Sequence, residues 1–208
     1  MDKKTNILKR FIIYMAILTF VMFTVWAFVK SFMNRPPGDY ETEVCDIRLK
    51  DKKYDKALEA ANNALNKTPN HRGAIMCKAL VFISKEEYSK AMQELDYLIN
   101  FLENNIEKDD KTGKGTLAAS YANRGIIKDR SQDYSGALQD YIKALGIDHE
   151  AVAGPGLGTI ILNYKFKSSS VRERALYLNE QLQLPEEERV LSIKELDEGQ
   201  VMHKPSKL

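Results

Sequence analysis

Chemistry-bearing residues are scarce in this chain. Its 208 residues include two cysteines, three histidines and one tryptophan. His71, His149 and His203 stand far apart, and no His-x-x-x-His or Cys-x-x-Cys spacing occurs, so no pattern for a metal site exists. No nucleophile has a base near it in sequence, and no acidic pair sits in an apolar setting that would shift its pKa. The stretches GPGLG (154–158) and KTGKGT (111–116) match neither of the glycine-rich phosphate-binding patterns and follow no predicted strand. They read as a turn and as part of a flexible loop. A basic run is also missing from the body, which argues against nucleic acid as a partner. The expectation is a protein that is not an enzyme and has no cofactor, metal or small-molecule substrate.

Charge is absent altogether between Phe11 and Val29, FIIYMAILTFVMFTVWAFV. As a helix rising ~1.5 Å per residue, this run spans roughly one hydrocarbon core. A cleaved signal would be shorter and end in small residues, whereas here the exit reads AFVKSFMNRPP. A core helix would carry a polar stripe, and this one is apolar all round. The reading is an uncleaved single span. The first 33 residues hold five of the 31 Lys and Arg but one of the 29 acids, leaving the body nearly neutral. Lys3, Lys4, Lys9 and Arg10 precede the span, while Lys30 and Arg35 follow it and are then met by Asp39, Glu41 and Glu43. The positive-inside rule therefore puts the N-terminus in the cytoplasm and the body on the periplasmic side of an inner (plasma) membrane, with a cytosolic body as the alternative. Pro36 and Pro37 break the helix and make a short spacer.

Beyond the spacer the chain repeats itself. KKYDKALEAANNALNKTP (52–69), EEYSKAMQELDYLINFLE (86–103) and QDYSGALQDYIKALGIDH (132–149) align without gaps. Tyr54, Tyr88 and Tyr134 correspond; so do Ala57, Ala91 and Ala137, and then Ala64, Leu98 and Ala144. The first interval is one 34-residue period and the second carries an extra segment, NNIEKDDKTGKG (104–115), expected as a polar loop. Small residues recur because two antiparallel helices must approach closely. Cys45, Ala79 and Gly125 stand in the first helices, opposite Ala57, Ala91 and Ala137 in the second.

At these residues the chain resembles the tetratricopeptide repeat family, most closely in YANRGIIKDRSQDYSGALQDYIKALGID of the third unit. The resemblance implies an all-α solenoid of about three repeats at 40–69, 72–106 and 116–149. Residues 1–33 form the tip and span, and 34–39 the linker. Residues 151–185 read as a degenerate fourth pair that caps the stack, with Ser169 or Ser170 capping its second helix, and 186–208 form a tail that can fold back into the groove. Repeat register sends Cys45 toward its own second helix and Cys77 toward the inner surface, so both are expected as free, mostly buried thiols.

Stacked helical pairs leave a concave surface lined by first helices, suited to extended or helical peptides. Register assigns Asp46, Leu49, Met76, Cys77, Leu80, Ile83, Asn123, Ile126, Asp129 and Arg130 to this groove, apolar at its centre. At the places where one branch of the family clamps a C-terminal carboxylate, this chain has Thr42, Asp46, Cys77, Ala119 and Asn123, without the cations. An apolar or amphipathic segment of a membrane or envelope protein is the expected partner. The function expected is a membrane-anchored scaffold for recruitment or assembly; the alternative is a structural accessory subunit of an integral-membrane complex, held by its span.

Overall fold

The computed structural model describes residues 3–33, 35–150, 152 and 170–193. Eight α-helices, one 3-10 turn and no strand occur among them. Helix α1 (Lys3–Met33) contains the apolar stretch, and a 24-residue window from Ile7 to Lys30 is long and apolar enough to cross a membrane, with none of it buried against the rest of the chain. Its two hydroxyls bond within the helix: Thr19 donates to the Met15 carbonyl at 2.7 Å and Thr24 to that of Val21 at 2.8 Å. Neither needs water or a neighbour.

Three hairpins follow: α2 (Asp39–Lys50) with α3 (Tyr54–Lys67), α4 (Arg72–Ser84) with α5 (Tyr88–Asn105), and α6 (Lys111–Arg130) with α7 (Tyr134–Ile147). Within each hairpin the two helices pack together. First helices also lie side by side, α2 on α4 and α4 on α6, and each second helix packs on the next first helix. A single hairpin cannot bury both faces, so stacking is what builds the core.

The tyrosine of each unit opens its second helix, and the turn before it is the same three times. Lys52, Glu86 and Gln132 take left-handed backbone, with φ of 59°, 59° and 65°. In each turn the amide of the following residue reaches back to the carbonyl five residues earlier: Lys53 to Arg48, Glu87 to Phe82 and Asp133 to Lys128. These paired bonds satisfy carbonyls that a helix end would leave orphaned.

The small-residue register is the spine of the core. Cys45, Ala57, Ala79, Ala91 and Ala137 are completely buried, as are Ala64, Leu98 and Ala144. Gly125 faces α7 so closely that a Cβ there would lie 2.6 Å from Tyr141 Cε1. Tyr54, Tyr88 and Tyr134 pack their rings against the clusters that these residues form.

The segment 104–115 differs from the loop that its polarity suggests. Helix α5 runs on to Asn105 and α6 begins at Lys111, so the extra residues lengthen helices. Asp110 makes this possible by capping α6, accepting from the Gly113 amide at 2.7 Å, and by pairing with Arg72. Gly113 and Gly115 are buried in the first two turns of α6; at Gly113 a Cβ would come within 2.8 Å of Ile106.

The proposed first helix of the fourth unit, around 154–166, lies outside the described residues. Its partner is present as α8 (Val171–Leu182), which packs on α7. Ser170 caps it in a reciprocal box with Glu173. A 3-10 turn, Glu186–Glu188, then returns the chain along α8, where the Val190 amide donates to Gln181 at 2.7 Å and Tyr177 donates to the Val190 carbonyl.

Candidate functional site

The groove assigned by register is mostly interior. Met76, Leu80, Ile83 and Ile126 are each at most 3% exposed and belong to the main hydrophobic cluster. Asn123 and Asp129 are buried too, Asn123 donating to the Met76 sulfur at 3.5 Å across α4 and α6. Cys77 has no exposed surface. Asp46 and Leu49 are half-buried, and Arg130 is exposed. The structure thus brings these residues together along the first helices, but solvent reaches three of the ten.

Asp129 takes part in an ion pair buried on both sides. Arg174 on α8 grips it in a fork, Nε to Oδ2 at 2.8 Å and Nη2 to Oδ1 at 2.7 Å, with both side chains at most 3% exposed. Tyr141 donates to the same carboxylate at 3.1 Å, and Arg174 also donates to the Leu191 carbonyl at 2.9 Å. Burial, together with the adjacent carboxylate charge, pushes the Tyr141 hydroxyl well above its usual pKa. Two charges removed from water are tolerable here because the fork satisfies both carboxylate oxygens. Asp129 therefore ties the C-terminal helix and the returning chain to the third repeat.

Sequence reasoning had no role for Arg174. Its signal is readable in retrospect, since Val171, Arg174, Ala175 and Leu178 share one helical stripe and all four are buried. A second network lies nearby. Arg124 forks onto Asp140 at 2.8 and 2.7 Å and reaches Asp96 at 2.7 Å, while Lys128 meets Asp140 at 2.8 Å. Tyr121 donates to Glu103, and burial with that carboxylate raises its pKa to about 12.

The cysteines require a correction. Cys45 and Cys77 are joined in a disulfide, with Cα atoms 6.5 Å apart, inside the range a bridge needs. Reading each position within its own repeat made the thiols point apart. First helices of successive units pack directly on each other, however, and the bridge crosses that α2–α4 contact. It sits in a small cluster with Ala57, Ala60, Ala61 and Val81 and leaves neither thiol free.

His71 stands in a cleft of about 400 Å³ that Pro36, Arg72, Phe101 and Ile106 help to line. Its Nδ1 accepts from the Ala74 amide at 3.2 Å, so Nε2 carries the proton and donates to Asp39 at 2.8 Å. Thr42 Oγ1 is 3.4 Å from Nδ1, an acid–imidazole–hydroxyl series in outline only. The hydroxyl is buried and donates to the Gly38 carbonyl at 2.9 Å, while the imidazole caps α4. These three groups fasten the linker to the first two repeats. Among the described residues, no group of three or more His, Cys, Asp or Glu could hold a metal ion.

Stacked hairpins with left-handed turns before each tyrosine, small residues in facing register and direct first-helix contacts define an α-solenoid of tetratricopeptide type. No family model and no curated protein matches the chain. Solved structures do match; one is titled Arabidopsis OM64 TPR domain, 14% identical, covering 66% of this chain and 95% of that one with a TM-score of 0.45.

Proposed function

We propose that this chain is a non-catalytic scaffold, held to a membrane by α1, whose repeat body binds a protein partner at the membrane surface for recruitment or assembly. The observation that carries the reading is the joining of a fully exposed apolar helix of spanning length to a stack of helical hairpins. Stacked repeats present an extended face to peptides, and anchoring raises the effective concentration for partners in the same membrane. We further propose that the body lies on the periplasmic side of an inner membrane. Flanking charge supports that orientation, and so does the Cys45–Cys77 bridge, because disulfides persist in oxidising compartments.

Asp46, Leu49 and Arg130 are the accessible members of the groove set, and they are the residues we assign to partner contact. Leu49 packs against the cluster that holds Met76, Leu80, Ile83 and Ile126. The alternative is an accessory subunit held by its span, in which α1 would itself be the interface. The test is co-purification from detergent with Asp46→Lys plus Arg130→Glu, and separately with α1 replaced by an unrelated apolar helix. The scaffold reading expects partner loss in the first and retention in the second. Retention in the first and loss in the second would favour the subunit.

A further inference from the structure

Among the described residues, the face of α2 turned away from α3 and α4 has no helix packed on it. On that face Tyr40 and Ile47 are 57% and 51% exposed; Val44, between them at the i, i+4, i+7 spacing of one stripe, is half-buried and packs its inner side against the Cys45–Cys77 cluster. Other large exposed apolar residues, such as Tyr97, Ile142 and Leu176, stand singly on separate helices and need no explanation.

The junction with α1 holds this face in a restricted position. Arg35, two residues past the end of α1, donates to Glu43 on α2 at 2.8 Å. Thr68 donates to the Pro37 carbonyl at 2.7 Å, and the Asp39 amide to that of Pro36 at 3.2 Å. Gly38 turns the chain with φ of 95°, and its carbonyl accepts from both the amide and the hydroxyl of Thr42. The linker is thus bonded to the first repeat along its described length. Met33 and Asp39 are six residues apart and so at most about 20 Å. Helix α2 itself, with 12 residues, is roughly 18 Å long.

From these observations we propose that the Tyr40–Val44–Ile47 face rests in the headgroup layer of the membrane that α1 crosses, so that the stack stands on its first repeat. The inference rests on the anchor reading above and extends it to the pose of the body. Tyrosine suits this layer, its ring in apolar surroundings and its hydroxyl in water. Lys50 and Lys52, exposed at the far end of α2, can extend their ammonium groups to lipid phosphates. Acids beside the stripe are already matched: Glu43 by Arg35, and Glu41 by Lys67 at 2.7 Å. A second copy is the weaker occupant, since a stable interface buries about 800 Å² per partner and one short helix with three apolar side chains offers less.

The experiment uses the full chain in phosphatidylcholine–phosphatidylglycerol vesicles, with and without lipids brominated along the acyl chain, which quench tryptophan on contact. Native Trp26 reports the anchor. In a Trp26→Phe background, Tyr40→Trp and Ile47→Trp report the proposed contact, and Ile142→Trp serves as the exposed control. All three replaced residues are exposed, so the fold should tolerate them. The expected result is quenching of Trp26, and blue-shifted emission from positions 40 and 47 quenched severalfold more than from 142. Trp26 quenched while 40 and 47 behave like 142 overturns the docking alone. Blue-shifted but unquenched emission at 40 and 47 also overturns it, in favour of a second copy. Trp26 unquenched overturns the anchor and this proposal together.

Discussion

A Cβ at residue 125 would stand 2.6 Å from one ring carbon of Tyr141 and 3.3 Å from the Ala137 carbonyl, and both belong to the helix that must pack there. Tyr141 is buried and bonded to Asp129, so its ring has little freedom to yield. Gly125→Ala is expected to destabilise the fold by about 1–3 kcal/mol, the usual cost of overpacking, measured as a lower urea midpoint. The matching small position, Ala79, keeps its methyl and is completely buried in the main cluster. This level of the fold was legible in the sequence. The Gly125–Ala137 pairing follows from the alignment of three hairpins, since close helix approach admits few residue types.

Asp110 is a residue whose importance composition concealed. It caps α6 and takes the Arg72 guanidinium, and that hydrogen bond holds its carboxyl below the ordinary value of 3.8. A carboxyl with a lowered folded pKa stabilises the fold above its unfolded value, and that contribution disappears as pH falls through the folded one. Asp110→Asn should therefore lower the urea midpoint at neutral pH, with the gap to the parent protein closing below about pH 4. A gap that stays constant with pH would assign the effect to the amide cap geometry alone. In sequence, DDKTGKG looked like a loop because lysine, aspartate and glycine favour one. The cap and the partner from α4, 38 residues away, override that preference.

Among elements, α8 depends most on one contact. Removing one member of a buried ion pair leaves the other charge without compensation, at a cost of about 3–5 kcal/mol. Arg174→Met should release α8 and the chain as far as Leu191, read by hydrogen exchange as lost protection in α8 while α4 and α5 retain theirs. Loss of protection throughout the stack would mean that the cap and the repeats unfold as one unit. The helix and its Ser170 cap were readable from sequence; the charge pair was not, because its members are 45 residues apart.

The disulfide works at the same scale, linking α2 to α4. It closes a loop of 32 residues, for which the loss of unfolded-state entropy gives about 3–4 kcal/mol. A Cys45→Ala plus Cys77→Ala chain should melt lower by that equivalent, and reduction of the parent protein should reproduce the shift. If reduction leaves the melting temperature unchanged, the bridge contributes no stability. The bridge was missed because register within one repeat says nothing of contacts between first helices of successive repeats. The same contacts explain the groove: Met76, Leu80, Ile83 and Ile126 are spaced as a lining, yet packing draws them into the main cluster. Hydrophobic spacing identifies a face without distinguishing an open surface from a covered one.

At the scale of the whole molecule, three features combine: a fully exposed apolar helix, a linker bonded to the first repeat, and a body crosslinked by cystine. The proposed topology rests on charge asymmetry around the span and on the oxidised cysteines. The sequence supplied the first of these indications and gave a contrary reading of the second. Thiol trapping in intact producing cells tests the topology most directly. A thiol-reactive polymer too large to cross the inner membrane, and able to enter once the outer layers are opened, is added before or after reduction under denaturing conditions. The account predicts that Cys45 and Cys77 react only after reduction and that added protease digests the body without breaching the inner membrane. Free thiols, with a body protected until that membrane is dissolved, would contradict it.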